Sequence, residues 1–213
     1  MPLRPRAALA TLSVENQPPL RGDGDLWAED PMLRAHVAHF GGGPQEGRLA
    51  AFGAALGTAE ACEEGRDANR YTPELVTFDR SGRRIDEVRF HPAYHALLGR
   101  GIAAGYAALP WSGAEGGHVA HAAMVYLQTQ VEPGVCCPMT MTYAAVPALA
   151  ATPDLAAEWT PRLLSEHYDG ASRPAAEKAG ATLGMAMTEK QGGSDVRANS
   201  TRADRDGADW RLT

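Results

Sequence analysis

The strongest limit on the fold comes from residues 181–213, where helix-period patterning gives way to strand patterning. Residues 182–188 (Thr-Leu-Gly-Met-Ala-Met-Thr) read as a buried strand. Farther on, residues 199–205 and 208–213 flank Asp206-Gly207, a turn pair that often closes a hairpin. Two or three strands without a partner sheet are marginal in water. These residues therefore predict the opening of a β-domain that the sequence does not contain. The predicted fold is mainly α, with an N-terminal arm and helical domain over residues 1–180 and the first strands of an incomplete β-domain over 181–213.

Upstream, proline and glycine set the boundaries. Asn16-Gln17-Pro18-Pro19-Leu20 and Gly22-Asp23-Gly24-Asp25 favour an extended arm over residues 1–29. Asp30 is a candidate N-cap with Pro31 at the first helical position, and Gly41-Gly42-Gly43 closes that helix. A second helix is predicted over 45–66 from Leu49, Phe52, Leu56 and Ala59, and its acidic residues Glu60, Glu63, Glu64 and Asp67 read as a solvated face. Between residues 74 and 91 the period shortens around Asp79-Arg80-Ser81-Gly82, which predicts a β-hairpin. Helix returns after His91-Pro92, to about Ala108, and again over about 117–132. Pro138 opens another helix that Pro147 interrupts or ends. Thr152-Pro153-Asp154 starts the last one.

Charge and composition exclude several classes. There are 26 acidic and 20 basic residues, a net charge of −6, and no basic footprint for nucleic acid. No apolar run approaches the ~20 residues needed to span a bilayer. Arg4 and Arg6 lack the apolar stretch of a secretory signal. Cys62, Cys136 and Cys137 make no disulfide framework and read as small apolar side chains of a cytoplasmic protein.

The chemistry concentrates in Met185-Ala186-Met187-Thr188-Glu189-Lys190-Gln191-Gly192-Gly193-Ser194-Asp195. Two glycines let a ligand approach the backbone and expose its N–H groups to phosphate oxygens, while Thr188 and Ser194 offer neutral hydrogen bonds. By itself, Gly-Gly-Ser-Asp is also compatible with a turn and a cap. The longer string resembles the Met-Thr-Glu-Pro-x-x-Gly-Ser-Asp signature of acyl-CoA dehydrogenases. Three further segments resemble the AidB-type alkylation-response branch of that superfamily. They are Asn16-Gln17-Pro18-Pro19-Leu20, Arg83-Arg84-Ile85-Asp86-Glu87-Val88 with His91-Pro92, and Cys137-Pro138-Met139-Thr140-Met141-Thr142-Tyr143-Ala144. Lys190 stands where the superfamily usually has proline, and the Glu-Lys-Gln-Gly-Gly-Ser version is itself similar to the AidB branch.

The resemblance implies an acyl-CoA dehydrogenase-like helical domain and FAD as cofactor. It implies that Thr188 and its backbone meet the flavin pyrimidine edge. Ser194, with Gly192-Gly193, meets the pyrophosphate, and Met185 and Met187 lie on a strand passing the ring. Glu189 belongs to the flavin motif and is not a base. The family's catalytic carboxylate lies in a C-terminal helical domain beyond residue 213, so no catalytic residue is expected here. For a full-length relative the resemblance implies an acyl-CoA ligand, a homotetramer, and DNA binding through a C-terminal region absent from this sequence. An ordinary short- or branched-chain acyl-CoA dehydrogenase and a non-enzymatic helical interaction module remain alternatives.

The histidine pairs His91/His95 and His118/His121 lack a His-Glu-x-x-His arrangement and read as partly exposed helix residues, without a metal. Trp111, Trp159 and Tyr126 read as core or interface aromatics.

Overall fold

A computed structural model describes residues 9–13, 15–16 and 22–213. Residues 1–8, 14 and 17–21 of the expected arm lie outside the described residues. Helix α1 (Pro31–His39) begins as its sequence predicts, with the Asp30 carboxylate accepting from Leu33 N–H at 2.8 Å. Such a cap satisfies a donor that a helix start leaves without an intrahelical partner.

The helix expected over 45–66 is two helices, α2 (Glu46–Leu56) and α3 (Ala59–Arg70). The apolar period runs straight through the junction, but Thr58 is extended and its hydroxyl accepts from Ala61 N–H at 3.1 Å. The break also lets another segment cross α2. Gly24 N–H donates to Gly57 O at 3.0 Å and Leu26 N–H to Gly53 O at 3.2 Å, seating Leu26 and Trp27 in the core. The expectation of a solvated acidic face fails at Glu64, whose carboxylate lies 2.9 Å from the Arg100 guanidinium across α3 and α4.

Strands β1 (Glu74–Phe78) and β2 (Arg84–Arg89) form the predicted antiparallel hairpin. Its turn is held by Asp79, which accepts from the N–H groups of Ser81 and Arg83. Helix α4 (Pro92–Ala103) follows, capped by His91. It stops short of the expected Ala108, because Gly105 turns the chain with φ 81° into a 3₁₀ turn at Leu109–Trp111. Helices α5 (Gly117–Thr129), α6 (Cys136–Leu149) and α7 (Pro153–Leu163) complete the bundle. Leu49, Leu56, Leu97, Tyr106, Met124 and Leu127 are among its fully buried side chains.

Pro147 does not end α6. A proline removes the N–H that would meet the carbonyl one turn back, and here that carbonyl, of Tyr143, accepts from the Trp111 indole at 3.0 Å. One histidine also departs from expectation. His121 is buried, and its Nδ1 lies 2.7 Å from Tyr106 O, so this nitrogen carries the proton. Burial holds its pKa below the ordinary value. Tyr126 is not a core aromatic. Its ring is exposed and its hydroxyl donates to Asp30 at 2.9 Å. Cys136 is buried, Cys62 half-buried and Cys137 exposed. No helix among the described residues is long and apolar enough to cross a membrane.

Residues 182–188 do not form the expected buried strand. They have no regular secondary structure, are mostly exposed, and pair with no strand among the described residues. Extended backbone becomes a strand only when a neighbour takes its N–H and C=O groups. The Asp206-Gly207 turn does close a hairpin, of β3 (Ala203–Asp206) and β4 (Asp209–Leu212), with Gly207 at φ 66°. All residues of both strands are exposed.

Candidate functional site

The segment singled out in the sequence hangs from α6. Thr142, buried on that helix, donates to Pro138 O at 2.7 Å and accepts from Leu183 N–H at 3.1 Å. Its neighbour Met141 takes Met185 N–H on its sulfur at 3.2 Å. Thr142→Val keeps the shape but removes the acceptor, leaving a half-buried amide unsatisfied at a cost of about 1 kcal/mol. Amide exchange at Leu183 should accelerate several-fold while the β3–β4 amides keep their rates; unchanged exchange at Leu183 would show that the anchor is dispensable.

Beyond Met187 the chain folds back on itself. Gly192 N–H donates to Glu189 O at 3.0 Å, forming an isolated antiparallel bridge, and Gly192 adopts φ 144°. Gly193 then lies against Thr188 so closely that a Cβ there would sit 2.6 Å from Thr188 Oγ1. Asp195 accepts from Arg197 N–H at 3.2 Å and starts a single 3₁₀ turn.

Glu189 organises the return. Its carboxylate accepts from the N–H and hydroxyl of Thr201, both at 2.7 Å, and from the N–H and hydroxyl of Ser200 at 2.8 and 3.1 Å. Alongside, Asn199 Nδ2 donates to Met187 O at 2.7 Å. These partners lie eleven and twelve residues away in sequence, so local pattern gives no signal for them. The Thr201 hydroxyl first, then the Ser200 and Thr201 amides, lower the Glu189 pKa from its ordinary 4.5 to about 2. A depressed carboxyl pKa stabilises the fold above the unfolded value and loses that contribution as pH falls through the folded one. The clasp should therefore hold at pH 4 and open near pH 2. The Thr201 amide shift, followed by NMR, should titrate with a midpoint near 2; a midpoint above 4 would contradict this wiring.

Glu189 is a weak base, since Ser200 and Thr201 occupy its oxygens and hold its pKa near 2. Thr188 and Ser194 make no side-chain hydrogen bond among the described residues; Met185, Met187, Thr188, Gly193 and Ser194 are exposed and Gly192 is half-buried. The structure brings Thr188 against Gly193, pairs Gly192 with Glu189, and leaves Ser194 next in the chain. Two unengaged hydroxyls beside a glycine-lined turn suit a ligand offering an edge of acceptors and a phosphate group. Among the described residues no group of three or more His, Cys, Asp or Glu could hold a metal ion.

Residues 16–170 match the family described as the adaptive response protein AidB N-terminal domain. The chain belongs to that family. This AidB-type chain is 45% identical over 198 residues to a protein of Escherichia coli (strain K12) named "Putative acyl-CoA dehydrogenase AidB". That match covers 92% of the chain, which takes in the 185–195 string wherever it begins, and 37% of the relative. Among solved structures, "Bd2924 apo-form" superposes with a TM-score of 0.73 at 26% identity, covering 90% of this chain and 39% of that one. The Caenorhabditis elegans protein ACDH-11, solved in complex with C11-CoA, gives 0.69 at 25% identity, covering 98% and 37%. The AidB-type chain thus spans about two-fifths of the length of these relatives. It is acyl-CoA dehydrogenase-like in sequence and in fold.

Proposed function

We propose that the chain supplies one wall of an FAD site in an AidB-type acyl-CoA dehydrogenase-like protein linked to the DNA alkylation response. The observation that supports this reading is the Glu189-clasped turn, in which the Thr188 side chain lies against Gly193 and Ser194 follows next in the chain. Thr188 and its backbone would hold the pyrimidine edge of the flavin. Gly192, Gly193 and Ser194 would hold the diphosphate, and the run through Met185 and Met187 would carry the chain past the ring. When bound, FAD supplies the electron-accepting ring for hydride transfer. The residues of this chain bind and orient it, and none of them removes a proton.

The substrate class on this reading is an acyl-CoA thioester, with a homotetrameric full-length protein working in the cytoplasm. DNA contacts belong to sequence outside these residues, since the net charge of −6 opposes phosphate binding. The test is to express a protein extended to the length of its relatives and record its visible spectrum. A yellow protein with flavin bands is expected. A colourless one that ignores added FAD would overturn the proposal. Steady dye reduction by short-chain acyl-CoA without any affinity for DNA would replace the alkylation-response reading with that of an ordinary acyl-CoA dehydrogenase.

A further inference from the structure

A cavity of about 480 Å³ lies between α4, α6, strand β2 and the segment of residues 163–182. That volume is in the range of sites that take small organic ligands. Its inner wall is apolar, with Leu98, Met139 and Leu163 nearly inaccessible to solvent. Rings make up another wall. Phe90 stacks on Tyr94 with centroids 4.1 Å apart, and His95 packs edge-on against both. The Tyr168 hydroxyl lies 2.6 Å from His95 Nδ1, and burial pushes its pKa up to about 12, so it stays a neutral phenol.

The charges around the cavity are almost balanced. Glu87 pairs with Arg89 at 3.0 Å, and Asp169 pairs with Arg173. Arg173 lies outside the lining, and the lining cation with no ion pair of its own is Lys178, whose charge also acts on Asp169. Its ammonium donates to the Ala171 carbonyl at 2.9 Å and has no carboxylate within ion-pair distance among the described residues. An apolar, ring-walled hollow with one cation outside any ion pair is complementary to an apolar body carrying one negative charge. A coenzyme A head, with several phosphates, would need several surplus cations and finds one.

We propose that this cavity binds a small molecule with a flat apolar body and a single carboxylate, the body against Phe90, Tyr94 and Leu98 and the charge toward Lys178. This site is separate from the turn at residues 188–194, and the proposal stands whether or not FAD binds there.

The probes are 4-phenylbutyrate and its neutral analogue 4-phenylbutan-1-ol, titrated by calorimetry into the 213-residue chain. The carboxylate should bind about tenfold more tightly than the alcohol, as a charge-assisted contact requires. In Lys178→Gln that preference should vanish while the alcohol binds as before. Ile102→Trp, which fills the half-buried wall of the cavity, should abolish both. Since a tryptophan there could also disturb folding, intermolecular NOEs from the phenyl protons to the Phe90 and Tyr94 rings provide an independent measure in the unmodified chain. No binding of either probe at millimolar concentration, equal affinity for both, a preference that survives Lys178→Gln, or NOEs to other residues would each overturn the proposal.

Discussion

Gly57→Ala is expected to lower the free energy of unfolding by about 3 kcal/mol, the upper part of the range for overpacking. A Cβ at this position would lie 2.2 Å from the Gly24 carbonyl oxygen and 2.7 Å from its carbon. Both are backbone atoms, held by the Gly24–Gly57 hydrogen bond, so neither can rotate away. The backbone angle at Gly57, φ −76°, suits alanine, and the penalty is therefore one of space alone. Relief would require lifting residues 24–27 off α2, and with them the buried Leu26 and Trp27. Urea denaturation should show the midpoint falling by about 1 M at unchanged slope. Gly47→Ala, on the same helix with nothing within 4 Å of the added carbon, supplies the contrast. It should stabilise by about 0.5 kcal/mol, because alanine loses less backbone entropy on entering a helix. Equal effects from both substitutions would dismiss the crossing of α2 as a stabilising contact.

Gly193→Ala is expected to weaken FAD binding at least tenfold in a protein extended to the length of its relatives, on the function proposed above. The added carbon would meet the Thr188 side chain at Oγ1, Cγ2 and Cβ, all within 3.3 Å. Thr188 must then rotate or the turn must open, and either movement separates the hydroxyl from the glycine backbone. Absorbance at the flavin bands after desalting measures retained cofactor, and the Thr188 methyl shift in the shorter chain reports the displacement without any ligand. Gly184→Ala should do neither, since nothing lies within 4 Å of its added carbon. Full retention of flavin by Gly193→Ala would remove the turn from the cofactor site.

How much of this was legible in the sequence depends on how far each signal reaches along the chain. Asp30-Pro31, Asp79 with Gly82, and Asp206-Gly207 act over two to four residues, and each one forms the cap or turn that its residue types predict. The break at Gly57-Thr58 was obscured because Leu49, Phe52, Leu56 and Ala59 keep helical spacing across it. There, a threonine cap outweighs the apolar period. Residues 182–188 have strand composition, yet pairing is a property of a neighbour and not of the run itself. The candidate site was legible in its glycines and hydroxyls, by resemblance to a known string. Its mechanical support was not. Glu189 reaches Ser200 and Thr201, and Thr142 reaches Leu183 from 41 positions upstream, distances at which residue pattern carries no information. Glu64 shows the same limit, since a helix face rich in acids reads as solvated until Arg100 from another helix stands against it.

Pro147 and Trp111 bear on the order in which the bundle assembles. The final turn of α6 relies on an indole 32 residues upstream for the donor its own backbone lacks. An excised peptide of residues 136–149 would have only water to offer the Tyr143 carbonyl and should fray from Pro147 onward. In the intact chain the Tyr143 carbonyl finds its partner only where the Leu109–Trp111 segment is docked, so the last turn of this helix leans on a residue remote in sequence.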